Sequence, residues 1–438
     1  MKRFYGREKE LDLLRRLDLQ AKSSATFTIL MGRRRIGKTE LAKQLKTSCD
    51  KFCYLFISKT AEPLLASFWQ EEILNSLGLR IPGKVVSLKD LFKELFIFSE
   101  RNHFTLVVDE FQEIAKINNS FFSDLQNLWD NYRNTSKMNL IVSGSIYSLM
   151  VKIFEDSKEP LFGRCIAKMT LKPLPPSTIK EILRDYNPDY NKEDLLCLYA
   201  LSGGVPRYIT LLMDGGAYTK DEMIDYALSP YSAFLSDAKD ILISEIGNDY
   251  AIYFSILRLI AEGYVTQTEI DSVIGKNVGS YIDKLERLFC VIKKKKPLFA
   301  PENSRKAHWE IMDPNMRFYF RFIYPNEQLL ELGQYDRLKD LVMRDYDTFV
   351  GKTLEDYFFE VLKERGGFTM LGSWWDNKGE NEIDIIALDS FDKSCKLYEV
   401  KRNKSKYSEK KLKEKADKFV KNIPDYKIKL IGLSIDDM

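Results

Sequence analysis

The chain has few of the features that mark special environments. Only two histidines occur in 438 residues, and the six cysteines (Cys49, Cys53, Cys165, Cys197, Cys290, Cys395) are scattered. Cys49 and Cys53 alone lie close together, and no histidine stands beside them to complete a zinc set. Buried, reduced thiols are therefore expected rather than a disulfide framework. No stretch comes near the ~20 apolar residues of a membrane span, and residues 1–10 hold no apolar run of the secretory kind. Membrane association is thus not expected, and a cytoplasmic location is. Low-complexity tracts and internal repeats are missing as well. The formal net charge is only +3, which excludes a strong overall field of one sign.

What is present is the balance of a globular chain: 45% hydrophobic, 13% aromatic and 30% charged residues. Its length suits roughly two to four domains of ordinary size. Charge is unevenly spread, with lysines at 293–296 and many more between residues 393 and 429. Short apolar runs at 27–31, 52–57, 104–109 and 139–143 alternate with longer amphipathic stretches. That alternation predicts a parallel sheet with helices on both faces, so the fold class is α/β and multidomain. Leu106, Val107 and Val108 form the continuous apolar run expected of a strand buried on both sides.

The first of these runs leads into Gly32, Arg33, Arg34, Arg35, Ile36, Gly37, Lys38 and Thr39, which match GxxxxGK[ST] in full, and a helix is predicted to follow over 40–46. Glycines in such a loop let backbone N–H groups turn onto phosphate oxygens, and the helix N-terminus adds a positive dipole end. ATP is the expected ligand, with Lys38 on the β- and γ-phosphates and the Thr39 hydroxyl on Mg²⁺. The apolar run 104–108 ends in Asp109 and Glu110. A carboxylate there can orient Mg²⁺ through its water shell, and its neighbour can polarise the attacking water.

With these residues in place, the segment Phe4, Tyr5, Gly6, Arg7, Glu8, Lys9, Glu10 resembles the box that opens the AAA+ and STAND ATPases of prokaryotes, especially the archaeal-type ATPase family. The resemblance implies that Gly6 and Arg7 lie against the nucleotide base. It implies that Ser143 stands near the γ-phosphate on a sensor strand at 141–144. Arg164 falls where the family has a basic residue after a mobile loop and is a candidate arginine finger, which would require a neighbouring copy and hence a homo-oligomer. LSGGVPRY at 201–208 resembles the Gly-Gly-x-Pro turn of the family's helical lid, implying Pro206 on the base and Arg207 as nucleotide sensor.

Beyond residue 165 helical periodicity takes over. Three helices are predicted from Ala251, over 266–274 and over 276–289, with Gly275 at a turn and a basic strand pair after them. This is the layout of a winged helix. Lys276, Asn277, Ser280 and Tyr281 would be exposed, Ile282, Leu285 and Leu288 would face the core, and Lys293–Lys296 would form the wing. DNA contact and a purely interdomain role are both open to such a module.

The last segment pairs predicted strands at 383–387 and 396–400. Asp384 opens the first of them, and Glu399, Val400 and Lys401 end the second. Side chains alternate along a strand, so residues 399 and 401 share a face and Asp384 can converge on Glu399. Two carboxylates bind a hard divalent cation, Glu355 can complete the shell from a neighbouring helix, and Lys401 can stabilise charge on phosphate. The pattern resembles the PD-(D/E)xK restriction-endonuclease-like superfamily, with Ile383 in place of the usual proline. Its pairing with an archaeal-type ATPase resembles the family with a DUF234-type C-terminal domain. The expected organisation is a P-loop ATPase domain over 1–165, a helical lid over 166–240, a winged helix over 241–312 and a nuclease-like domain over 313–438.

The function expected from these parts is an ATP- and Mg²⁺-dependent switch coupled to a nuclease-like domain with its own divalent cation, acting on nucleic acid, DNA rather than RNA. Two other classes stay open: a nucleotide-gated binding or signalling protein with a silent C-terminal domain, and a DNA-binding regulator that uses the winged helix.

Overall fold

Three apolar runs become strands buried at every position: β1 (Thr26–Met31), β3 (Phe104–Asp109) and β4 (Met138–Gly144). They occupy the middle of a five-stranded sheet ordered β2-β3-β4-β1-β5, with all pairings parallel. The edge strands β2 (Phe52–Phe56) and β5 (Ala167–Thr170) are only partly buried. The computed structural model describes residues 1–247, 249–301, 307–376 and 379–438. β5 lies past residue 165, so the sheet extends beyond the expected domain end. The compact unit that holds it runs from Phe4 to Lys172.

Odd-numbered positions of β1 (Phe27, Ile29, Met31) enter one large core with the helices Glu62–Leu77, Leu88–Ser99, Phe121–Tyr132 and Tyr147–Glu155. Phe27 meets the rings of Trp129 and Phe154 at 5.2 and 5.8 Å. On the opposite face the helix Glu8–Ala21 buries Leu11, Leu14 and Leu17. A buried polar string ties that face together at the start of the strands. Thr26 donates to Asn139 (2.9 Å), Asn139 donates to Thr105 (3.0 Å), and Thr105 donates to Asp18 of the helix. Buried polar groups must be paired, and pairing them across three strands fixes the register.

The second compact unit comprises Met1–Arg3 and Pro173–Met438. It begins with the helices Pro176–Tyr186, Lys192–Ser202, Pro206–Asp214 and Lys220–Leu228, of which Lys192–Ser202 is buried from Asp194 to its end. Gly203 stops that helix at φ 54°, and Gly204 follows at φ 80°. A Cβ on Gly204 would lie 2.3 Å from the Leu174 carbonyl oxygen, whose residue's N–H donates to the Gly204 carbonyl at 2.7 Å. Left-handed backbone and close approach together account for the glycine pair. Pro206 takes the first helical turn after it, where a missing N–H is harmless.

The helices Tyr250–Glu262 and Gln267–Ile274 follow, and Gly275 caps the latter at φ 78°. The next helix does not start at 276. It starts at Gly279, because the Asp271 carboxylate first accepts the Val278 N–H at 2.7 Å. It buries Ile282 and ends in a π-helical turn, Lys284–Leu288, which buries Leu285 but turns Leu288 out to 43% exposure, against expectation. A hairpin of β6 (Ile292–Lys295) and β7 (His308–Ile311) comes after it. The aromatic run 318–324 is mostly buried, and the helix predicted around 353–363 is 31 residues long, Tyr335–Arg365.

The C-terminal sheet is ordered β11-β10-β9-β8. β8 (Met370–Trp375), β9 (Glu382–Asp389) and β10 (Ser394–Val400) are antiparallel neighbours, and β11 (Lys427–Leu433) returns parallel to β10. A parallel return needs a crossover, and the helix Glu409–Phe419 supplies it by packing Leu412, Ala416 and Phe419 into the core with Ile383, Ile386 and Leu397. Among the described residues no helix is long and apolar enough to cross a membrane.

Candidate functional site

At the C-terminal end of β1 the loop turns through Gly32 (φ 151°), Arg35 (φ 69°) and Gly37 (φ 92°) into the helix Lys38–Gln44. That helix starts earlier than predicted, which sets Lys38 and Thr39 in its first turn. A Cβ on Gly32 would lie 2.9 Å from Ile36 Cγ2 and 3.1 Å from the Leu171 carbonyl oxygen, so only glycine suits the position. Lys38 is 6% exposed and donates to the carbonyls of Gly32 (2.7 Å) and Arg33 (3.1 Å).

Asp109 is the hub of this site. Its Oδ2 accepts from Thr39 Oγ1 at 2.8 Å and from Tyr54, and its Oδ1 accepts from Ser143 and from the Glu110 N–H at 3.0 Å. Burial by itself would raise the Asp109 pKa. The bonds from Ser143, Tyr54, Thr39 and Glu110 outweigh it and hold the carboxyl below its ordinary value, hence ionised. Burial, and then the bond to Asp109, push the Tyr54 hydroxyl up, so it stays a donor. Glu110 adopts the left-handed conformation (φ 58°), uncommon for this residue type, and its carboxylate accepts from Ser145 Oγ at 2.7 Å and from Gln112. Between β4 and these donors, Gly144 leaves room for nothing larger: a Cβ would fall 2.4 Å from Met150 Sδ and 2.5 Å from Gln112 Oε1.

Thr39 and Asp109 already touch, Asp109 is ionised, and both donors are hard oxygens. This set fits Mg²⁺ bound beside a nucleotide. Tyr54, Gln112 and Ser145 were not anticipated. Tyr54 comes from the edge strand, where it pairs with Val107, two residues before Asp109, and its hydroxyl reaches that carboxylate. For Ser145 the sole signal was its place directly after the predicted sensor strand.

The remaining expected nucleotide residues divide. Gly6 turns at φ 63°. Arg7 is 5% exposed and bonded to backbone: its Nη2 donates to the carbonyls of Lys172 (2.6 Å) and Ile36 (3.3 Å), and its Nη1 to Glu10 (3.2 Å). It braces the phosphate loop against the end of β5. Bonds to a charged donor contribute about 1.5–3 kcal/mol each. Arg7→Ala should therefore lower the stability of this unit by roughly 2–3 kcal/mol in urea unfolding and weaken ATP binding with it; unchanged stability would return Arg7 to a purely ligand-facing role. Arg164 forms an ion pair with Asp130 at 2.9 Å and donates to the Phe162 carbonyl at 2.9 Å. Pro206 and Arg207 belong to the second unit, where Arg207 is exposed.

In that unit Asp384 and Glu399 are brought together and buried, at 8% and 7% exposure. The Val400 N–H donates to Asp384 Oδ2 at 2.7 Å. Lys401 Nζ stands 2.8 Å from Glu399 and 3.8 Å from Asp384. Burial first, and then the charges of Glu355 and Glu399, push the Asp384 carboxyl up to about 7, against the opposing pull of Lys401 and the Val400 N–H. Burial lowers the Lys401 pKa, but the bond to Glu399 and the charge of Asp384 turn the net shift upward. Two lysines outside the predicted set complete the cluster. Lys415 contacts both oxygens of Glu399 (2.9 and 2.8 Å), and Lys352 bonds Glu355 at 2.7 Å while reaching Glu310 at 3.4 Å. Among the described residues no three His, Cys, Asp or Glu side chains gather closely enough to hold a metal ion. The donor chemistry suits a divalent cation, but the arrangement does not fit one as it stands, because lysines already hold Glu399 and Glu355.

Residues 4–212 match the family described as an ATPase domain predominantly from Archaea, and residues 319–415 match one described as archaeal and bacterial proteins of unknown function. An uncharacterized protein of Methanocaldococcus jannaschii is 28% identical over 440 residues, covering 98% of this chain and 93% of its own length. Among solved structures, a Walker-type ATPase of Pyrococcus abyssi superposes with a TM-score of 0.54 at 18% identity, covering 72% of this chain and 96% of that one. The ORC2 protein of Aeropyrum pernix, solved in ADPNP and ADP complexes, gives 0.51 at 15% identity, covering 77% and 95%. Both likenesses concern the fold. The chain therefore pairs a match to the predominantly archaeal ATPase domain, at residues 4–212, with a C-terminal match to the DUF234 family, at 319–415.

Proposed function

We propose that this ATPase is a Mg²⁺-dependent switch whose nucleotide state governs a nuclease-like C-terminal domain acting on nucleic acid in the cytoplasm. In the nucleotide site Lys38 leaves the loop carbonyls for the β- and γ-phosphates, and the backbone N–H groups of 32–39 line the phosphate oxygens. Mg²⁺ bound beside Thr39 and Asp109 would neutralise charge on those oxygens. Glu110, aimed by Ser145 and Gln112, polarises the attacking water, and Ser143 reports the γ-phosphate through Asp109. Arg164 serves as finger only once released from Asp130, in a homo-oligomer. The lid of this reading begins after Lys172, and Pro206 and Arg207 belong to it.

The observation that carries the nuclease-like reading is the convergence of Asp384, Glu399 and Lys401 at the ends of adjacent buried strands, with the charge of Glu355 acting on both Asp384 and Lys401. Strand order and the helical crossover into β11 support the same reading. In the winged-helix module over 241–312, Lys293 and Lys295 pair with Glu310, and Lys294 lies over Trp309. That pairing favours an interdomain role for the module, and the exposed lysines of the helix Glu409–Phe419 become the better phosphate track.

The test is a panel of linear, circular and single-stranded DNA and of RNA, with Mg²⁺ or Mn²⁺, with and without ATP. Cleavage that depends on ATP and falls about 100-fold or more in Asp384→Ala is expected; equal cleavage by both proteins sinks the assignment. The lysine pairing of Glu355 and Glu399 favours a second reading, a nucleotide-gated binder that cuts nothing. It predicts ATP-dependent mobility shifts on the same panel and intact strands throughout.

A further inference from the structure

Along the helix Glu409–Phe419 the lysines behave differently. Lys410, Lys411, Lys413 and Lys418 are exposed, as a solvated face requires, whereas Lys415 is turned inward beside Leu412 and Phe419, its side chain 22% exposed. Its ammonium spans both oxygens of Glu399 at 2.9 and 2.8 Å. Lys401 sets a second ammonium 2.8 Å from the same carboxylate. Two monovalent ammonium groups bring to Glu399 the charge that one divalent cation would bring. Glu399 is buried, so it must be paired, and it is paired from within the chain.

We propose that Lys415 is an internal counter-cation that occupies the place of a divalent metal on Glu399 and so holds the C-terminal site closed. The inference rests on the reading of Asp384 and Glu399 as a cation-dependent site. Lys401 follows the strand end itself, two residues after Glu399. Lys415 reaches it from the crossover helix on a long, flexible side chain that can leave without moving the sheet. Its four exposed neighbours on that helix give a polyanion the means to draw it off. The closed arrangement is thus the resting one, and cation entry is competitive with one identified ammonium.

The experiment uses the full chain without nucleotide, titrated with Mn²⁺ and followed by the electron paramagnetic resonance of the free ion. Lys415→Gln and Lys415→Met remove the ammonium and keep an unbranched side chain one atom shorter. Both should bind Mn²⁺ at least about tenfold more tightly than the parent, and the added affinity should vanish when Glu399→Gln is combined with either. Unchanged affinity in both Lys415 variants, with binding still lost on Glu399→Gln, overturns the lock and leaves the cation site standing. Absence of any Glu399-dependent Mn²⁺ binding in all the proteins overturns the lock together with the reading beneath it.

Discussion

Lys38→Ala is expected to lower ATP turnover by about 100-fold to 1,000-fold and to weaken nucleotide binding as well. Two losses add. The first is the cation opposite the β- and γ-phosphates, where charge develops in phosphoryl transfer. The second is visible in the resting loop, where the Lys38 ammonium holds the carbonyls of Gly32 and Arg33. With alanine those carbonyls lose their charged donor, and a loop already committed to positive φ at Gly32, Arg35 and Gly37 loses its inner brace. Phosphate release at saturating ATP measures the first loss, and titration with a fluorescent nucleotide measures both. Turnover equal to that of the parent protein would remove the site from residues 32–39.

What was legible in the sequence was whatever is local. The phosphate loop is contiguous, so its eight residues identify themselves. Asp109 and Glu110 end an apolar run that had to be a strand, and strand ends in a parallel sheet gather at one edge. Partners fixed by register were not legible. Tyr54 reaches Asp109 only through the pairing of β2 with β3, and no spacing in the sequence encodes that alignment. Ala167–Thr170 is too short and too little buried to announce itself as a strand. The helix predicted from Lys276 was misplaced because apolar spacing continues through a turn that the Asp271 carboxylate holds open. In the C-terminal domain the same division appears: Asp384, Glu399 and Lys401 lie close in sequence and were expected to converge, whereas Lys352 and Lys415 enter from two helices. A lysine on a charged helix looks solvated until the sheet shows which carboxylate it faces.

Asp384→Asn should stabilise the protein, and the gain should depend on pH. Burial and the charges of Glu355 and Glu399 raise the Asp384 carboxyl from the ordinary aspartate range to about 7 in the folded chain. Below about pH 4 the group is protonated both folded and unfolded, and it makes no difference to stability. Between about pH 4 and 7 the unfolded chain gives up this proton while the folded chain keeps it. The folded state then binds more protons, so rising pH favours unfolding, and above 7 the penalty of a buried, crowded anion is complete. Asparagine mimics the protonated form and still offers an oxygen to the Val400 N–H, so it removes the penalty without orphaning that donor. The gain should be small near pH 4, grow to pH 7 and level off by pH 8 at roughly 2–4 kcal/mol, since a tenfold change in proton affinity corresponds to about 1.4 kcal/mol. Thermal melts of both proteins at pH 5 and pH 8 check the direction. If Asp384→Asn instead destabilises at pH 8, the ion pair with Lys401 outweighs the crowding, and the cluster is a structural brace. A gain confined to high pH has the opposite meaning: the fold keeps at Asp384 a charge it would be more stable without, which is the signature of a residue retained for chemistry.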